Sequence, residues 1–167
     1  MKHLLRPAKK SDASAMYQIS IAAHTQNYYD KLIPDSQKPA FADQYIFSSH
    51  KRQRFISGIN QKINDPQWLL CVAEVDVVVV GYAIAHKENG RLLLKGLFVD
   101  PRFHGRGIGS DLFELSLTFA VKNMPIEMVV IHDNVVAKAL YKKYGFYVIG
   151  QAKRKFFGAA QDVMQQR

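Results

Sequence analysis

Two long apolar runs dominate the middle of the chain. Trp68 to Val75 and Val77 to His86 are each of strand length and rich in β-branched residues, so both predict strands, with Val75-Asp76-Val77 as the turn between them. Glu88-Asn89-Gly90 predicts a second hairpin turn, because Asn-Gly readily takes the positive φ angles of a tight turn, and it leads into a strand over Leu92 to Val99. Upstream, Leu4-Leu5-Arg6-Pro7-Ala8 predicts a short first strand stopped by Pro7. Asp12 then precedes the helical spacing Met16, Ile19, Ile21 and Ala22. Apolar residues at Tyr45, Ile46, Phe55, Ile56, Ile59 and Ile63, interrupted by Gly58, predict one or two helices between Phe41 and Asn64-Asp65-Pro66. Beyond the central strands the pattern predicts a helix over Ile108 to Lys122, a strand over Ile126 to His132 and a helix over Val135 to Tyr144. Two closing strands follow, near Tyr147 to Arg154 and Ala160 to Gln165. This order predicts an α/β fold: a mixed, largely antiparallel central sheet flanked by helices on both faces.

Composition narrows the class. A chain of 167 residues suits one compact core, so a single domain over 1–167 is expected. Apolar stretches such as Val77 to Ala85 are too short to cross a bilayer, and Met-Lys-His-Leu-Leu-Arg-Pro lacks the apolar core of a signal peptide. A soluble cytoplasmic protein with no membrane partner is therefore expected. The single cysteine, Cys71, has no internal disulfide partner and reads as a small buried hydrophobe. The net charge of +9 comes from 23 basic and 14 acidic residues, with clusters at Lys51-Arg52-Gln53-Arg54 and Lys153-Arg154-Lys155. Such a balance attracts anions. Neither a basic recognition helix nor an aromatic stacking platform accompanies it, so nucleic acid is not the expected partner.

Chemistry concentrates in residues 97 to 113, Leu-Phe-Val-Asp-Pro-Arg-Phe-His-Gly-Arg-Gly-Ile-Gly-Ser-Asp-Leu-Phe. An apolar strand, a proline stop, a glycine-punctuated loop and a helix start follow one another without a break. Gly105, Gly107 and Gly109 let the backbone turn tightly and bring bare N–H groups to an anion, and the following helix adds its positive end. Arg106 and Arg102 can supply formal charge. No Lys-Ser or Lys-Thr follows the last glycine, which excludes a nucleoside-triphosphate loop, and the Gly-x-Gly-x-Gly spacing does not match the dinucleotide fingerprint.

A second cluster lies downstream in Asn134-Val-Val-Ala-Lys-Ala-Leu-Tyr141-Lys-Lys-Tyr144-Gly145-Phe146, where a strand ends, Asn134 can cap, and a helix carries Tyr141 two turns on. Together the two clusters resemble the GNAT superfamily of acetyl-CoA-dependent N-acetyltransferases. In the family the pyrophosphate loop reads Gln or Arg, two residues, Gly, one residue, Gly or Ala. The matching frame here is His104-Gly105-Arg106-Gly107-Ile108-Gly109, with a histidine in the first place. That loop works chiefly through backbone N–H groups, so the cradle stays intact, and Arg102 offers an alternative register.

The resemblance implies acetyl-CoA as cosubstrate, a GNAT-like sheet, and no metal. It places Leu97, Phe98 and Val99 along the pantetheine arm, Gly105 through Ser110 at the pyrophosphate, and Asn134 at the arm or the helix cap. It makes Tyr141 the general acid that protonates the departing thiolate, against the alternative of an amphipathic tyrosine in the core. The implied reaction is direct attack of a primary amine on the thioester in a ternary complex. A catalytically silent acyl-CoA-binding or sensor module is the other reading.

No carboxylate stands where some members carry a base, since those neighbourhoods read Leu94-Lys95-Gly96 and Met128-Val129-Val130. Glu127, His132, His86 and Asp100 remain open as bases, as does proton loss through water. The segment from His24 to Pro34, with Tyr28, Tyr29 and Asp30, corresponds to one wall of the acceptor site in the family. Its aromatic and acidic residues suit a cationic amine and equally suit an ordinary helix end. Many members dimerise, so a homodimer is a further expectation.

Overall fold

The computed structural model describes residues 2–29, 31–46 and 48–166. Along the chain lie β1 (Leu4–Pro7), α1 (Ala13–His24), the single-turn α2 (Lys38–Phe41), α3 (Ser49–Lys62), β2 (Trp68–Val75), β3 (Val78–Glu88) and β4 (Arg91–Val99). After these come α4 (Ile108–Leu117), β5 (Ile126–Ile131), α5 (Val135–Lys143), β6 (Tyr147–Gln151) and β7 (Gln161–Gln166). The seven strands form one sheet in the order β1-β2-β3-β4-β5-β7-β6. All neighbours are antiparallel except β4 and β5.

Side-chain alternation along β2 explains the layers. Leu70 and Val72 point to one face, where they meet Met16 and Ile19 of α1 and Ile59 of α3. Cys71, Ala73 and Val75 point to the other, against Ile108 and Leu112 of α4. Further along the sheet, Ile126, Met128 and Val130 of β5 pack with Phe113 of α4 and with Tyr141 of α5. Helices therefore cover both faces. Among the described residues no helix is long and apolar enough to cross a membrane.

Several expected details change. Asp12 does not cap α1 with its side chain; it is buried, accepts from the Lys9 amide at 2.7 Å and takes both arms of the Arg6 guanidinium at 2.7 and 3.1 Å. Asp76 and Val77 form the whole β2–β3 turn, with φ of 48° and 61°, so β3 begins at Val78. The helix α4 stops at Leu117 rather than Lys122: the Phe119 and Ala120 amides reach back only three residues, to Ser116 and Leu117. The strand β6 ends at Gln151, short of Arg154, and β7 runs over Gln161–Gln166. The side chains of Tyr45 and Ile46 lie outside the described residues.

One feature of the sheet positions the site. On its β3 side β4 is paired along its length, out to Val99 opposite Gly81, with Lys95 bulged between Leu94 and Gly96. On its β5 side the pairing covers only Leu92, Leu93 and Leu94, opposite Ile126, Glu127 and Met128. From Lys95 onward the two parallel strands part.

Candidate active site

The loop after β4 is closed by local bonds. The Asp100 carboxylate accepts from the Arg102 guanidinium at 2.6 Å and from the Arg102 amide at 3.0 Å, which holds the carboxyl below the usual carboxylate range. His104 then donates from Nε2 to the Val99 carbonyl at 3.0 Å, tying the loop back to the end of β4. Gly105 and Gly107 have φ of 73° and 81°, in the region that favours glycine, and a Cβ at either would meet nothing within 4 Å. Gly107 is also the residue capping α4, and it offers no side-chain cap, so the first amides of the helix keep their donors for another acceptor.

These groups border a cleft of about 940 Å³. Leu97, Phe98, Val99, His104, Gly105, Gly107, Ile108, Gly109, Ser110, Asn134 and Tyr141 all line it. Arg106 and Arg102 are not among the described lining residues. The Arg106 guanidinium lies 5.1 Å from the centre of the Phe103 ring, and that of Arg102 is engaged by Asp100.

A second cavity, about 200 Å³, occupies the gap where β4 and β5 part. Leu94 to Phe98 form one side and Met128 to Ile131 the other, with His24 and Phe156 also lining it. Leu97, Phe98, Asn134 and Tyr141 border both cavities, so the two meet at these residues. The Asn134 side chain accepts from the Ala137 amide at 3.1 Å, capping α5 while facing both spaces. The ring of Tyr141 packs 5.2 Å from that of Phe113. Tyr144, by contrast, donates its hydroxyl to Glu114 at 2.7 Å and lines neither cavity, and that bond raises its pKa.

A model of the Acetyltransferase (GNAT) domain matches residues 37–160, about three quarters of the chain. The chain belongs to the GNAT acetyltransferase family. Its fold is similar to that of the PaiA N-acetyltransferase of Thermoplasma acidophilum, solved in complex with coenzyme A, at a TM-score of 0.73 and 18% identity over 100% of this chain and 99% of that one. YncA of Salmonella typhimurium, a putative acetyltransferase solved with acetyl-CoA, gives 0.72 and 19% over 99% and 93%. The ribosomal-protein-S18-alanine N-acetyltransferase of Escherichia coli gives 0.70 and 18% over 99% and 93%.

In this GNAT chain the four residues left open as bases lie outside both cavity linings. Glu127 pairs with Arg91 at 2.9 Å, His86 stacks on Trp68 with ring centres 3.9 Å apart, and Asp100 serves the loop turn. His132 donates from Nδ1 to the buried Asp162 at 2.9 Å. Cys71 is buried in the core, where burial pushes its thiol up to about 11, which leaves it unreactive. No group of three or more His, Cys, Asp or Glu among the described residues could hold a metal ion.

His24 opens the segment expected as an acceptor wall, but the sequence pattern assigns its ring no role of its own. It ends α1, donates from Nδ1 to the Ser20 carbonyl, and stacks on Phe98 with ring centres 5.1 Å apart. Burial lowers its pKa to about 4, and the charge of nearby Lys51 adds to that. Of the other residues in the expected acceptor wall, Tyr29 packs 5.8 Å from Phe41 and Lys31 borders the large cleft. Asp30 and the side chain of Tyr28 lie outside the described residues.

Proposed function

We propose that this chain is an acetyl-CoA-dependent N-acetyltransferase that passes the acetyl group to a primary amine by direct attack in a ternary complex. The observation that carries the reading is the meeting of the two cavities at Leu97, Phe98, Asn134 and Tyr141. A long cosubstrate with a phosphate end and a thioester end suits the larger cleft, and an acceptor suits the smaller.

Each chemical demand has a residue to serve it. The open glycine positions and the uncapped first amides of α4 suit a pyrophosphate, which backbone donors bind without a lysine. His104 contributes by fixing the loop to Val99, and Arg106 by its field. The edge of β4 that β5 leaves, Leu97 to Val99, offers backbone amides and carbonyls to the amide-bearing arm, and one such N–H suits the oxyanion of the tetrahedral intermediate. As the C–S bond breaks, Tyr141 gives its hydroxyl proton to the leaving thiolate, and the proton that the attacking nitrogen sheds in becoming an amide passes through water to restore the hydroxyl.

His24 is too weak a base to strip an ammonium. The amine therefore loses its proton to water before it attacks, and the neutral ring contributes an apolar wall. The reading as a silent binding module lacks support, because Tyr141 borders both spaces.

The test is calorimetry with acetyl-CoA together with release of free thiol on an amine panel. Acetyl-CoA should bind, and Tyr141→Phe should keep that affinity while slowing turnover by about a hundredfold or more. Absence of binding at millimolar acetyl-CoA would sink the proposal. Parent-rate turnover by Tyr141→Phe would remove the acid role.

A further inference from the structure

If the smaller cavity holds the acceptor, its own chemistry bears on which amine it takes. Its outer end is aromatic. The rings of Phe98 and Phe156 lie 5.1 and 5.8 Å from that of His24, and Phe41 sits 6.1 Å from Phe156 and 5.2 Å from Phe157.

The turn that carries two of these rings is costly to make. Phe156 and Ala159 close it through a pair of backbone bonds at 2.9 and 3.0 Å, with Phe157 at φ 46° and Gly158 at φ 80° between them. A bulky aromatic residue rarely adopts such a φ. Here the turn delivers both rings to one cluster with Phe41.

Among the described residues that line the smaller cavity, the formal charge is of one sign. No carboxylate is found among the described residues that line it, whereas Lys95, the bulged residue of β4, lines it and is exposed. Lys153, Arg154 and Lys155 are exposed on the segment that runs into the aromatic turn. A site for a polyamine would present carboxylates to its second ammonium. The described lining presents Lys95 instead.

We infer, resting on the acetyltransferase reading above, that the acceptor is a small amine that also bears a carboxylate, with an apolar or aromatic body: an amino acid with an apolar side chain is the chemical class. The apolar body stacks among His24, Phe98 and Phe156, the carboxylate faces Lys95, and the amine points toward the junction at Asn134 and Tyr141. The volume of about 200 Å³ suits a molecule of this size better than a protein segment.

Matched acceptors test the inference. Phenylalanine is compared with phenethylamine and phenylalanine amide, leucine with isopentylamine, and spermidine is added as a polycation, all at saturating acetyl-CoA. The carboxylate-bearing member of each set should have kcat/KM roughly tenfold or more above its neutralised partner, the scale of one charge-assisted hydrogen bond. The ratio should shrink with added salt and should fall severalfold in Lys95→Gln, an exposed position at which folding is not at risk.

Preference for spermidine or for the decarboxylated amines overturns the inference and leaves N-acetyl transfer standing. A ratio unchanged in Lys95→Gln also overturns it. Turnover of no acceptor by a protein that binds acetyl-CoA overturns it as well, whereas failure to bind acetyl-CoA sinks the underlying reading instead.

Discussion

At Gly107 two separate costs attend a side chain. The residue sits at φ 81° with open space where a Cβ would go, so the space is there for a ligand and the backbone angle is one that valine strains to adopt. Gly107→Val should lose about 1–3 kcal/mol of stability and most of its affinity for acetyl-CoA, as read by denaturant unfolding and calorimetry. Retained affinity would show that the loop approaches no phosphate. His24 gives a prediction of another kind. Its folded pKa of about 4 lies below the unfolded value of about 6.5, so between these pH values the unfolded chain holds a proton that the folded chain does not. Stability therefore falls as pH drops through this window, by about 2 kcal/mol between pH 7 and pH 5 from this residue. Urea unfolding at the two pH values should show that slope in the parent and a smaller one in His24→Asn. Asp12 and Asp100 titrate below the window. At Asp12 burial pushes the carboxyl up, but the bonds from Arg6 and the Lys9 amide together outweigh it, and at Asp100 the Arg102 guanidinium holds the carboxyl low.

Among the elements, α5 is anchored through one buried acid. Asp162 of β7 takes the Lys138 ammonium of α5 and the His132 ring at the end of β5, joining three elements at one carboxylate. Asp162→Ala should cost about 2–3 kcal/mol in a denaturant melt, because two partners lose their acceptor. It should also weaken acetyl-CoA binding, since Asn134 caps α5 and Tyr141 rides on it; a stability loss with unaltered affinity would separate the anchor from the site. The elements also show what a sequence pattern can carry. Asn89-Gly90 forms the expected turn with φ of 51° and 74° because both residues tolerate that region, while Asp76-Val77 makes a similar turn against the preference of valine, held by the flanking strands. Phe119 and Ala120 continue the apolar rhythm of α4 without continuing the helix, since they pack against the core from a run of three-residue turns. The glycine loop and the α5 cluster were legible because each is local, a few adjacent residues whose spacing sets its shape. The aromatic wall of the smaller cavity was legible only in pieces: His24 and Phe98 lie in segments the sequence points to, but their meeting with Phe156 comes only through the fold.

For the whole molecule the short β4–β5 pairing has a mechanical consequence. Strands β1 to β4 form one antiparallel group and β5, β7 and β6 another, and among the described residues three parallel pairs are the only ladder stitching them together. Each half can then breathe as a cooperative unit, with amides beside the gap exchanging with solvent more readily than those in the middle of either half. A ligand lying along β4 completes the missing rungs and bridges to α5, so it fastens the two halves as well as reacting between them. Hydrogen exchange with and without acetyl-CoA should show slowed exchange at 95–99 and 129–131, beyond any general slowing from ligand-linked stabilisation. Equal slowing across the whole sheet would mean that the halves already open as one. On the reading proposed above, the gap that admits the reactants is also the seam at which this fold is expected to come apart, and the cosubstrate its fastening.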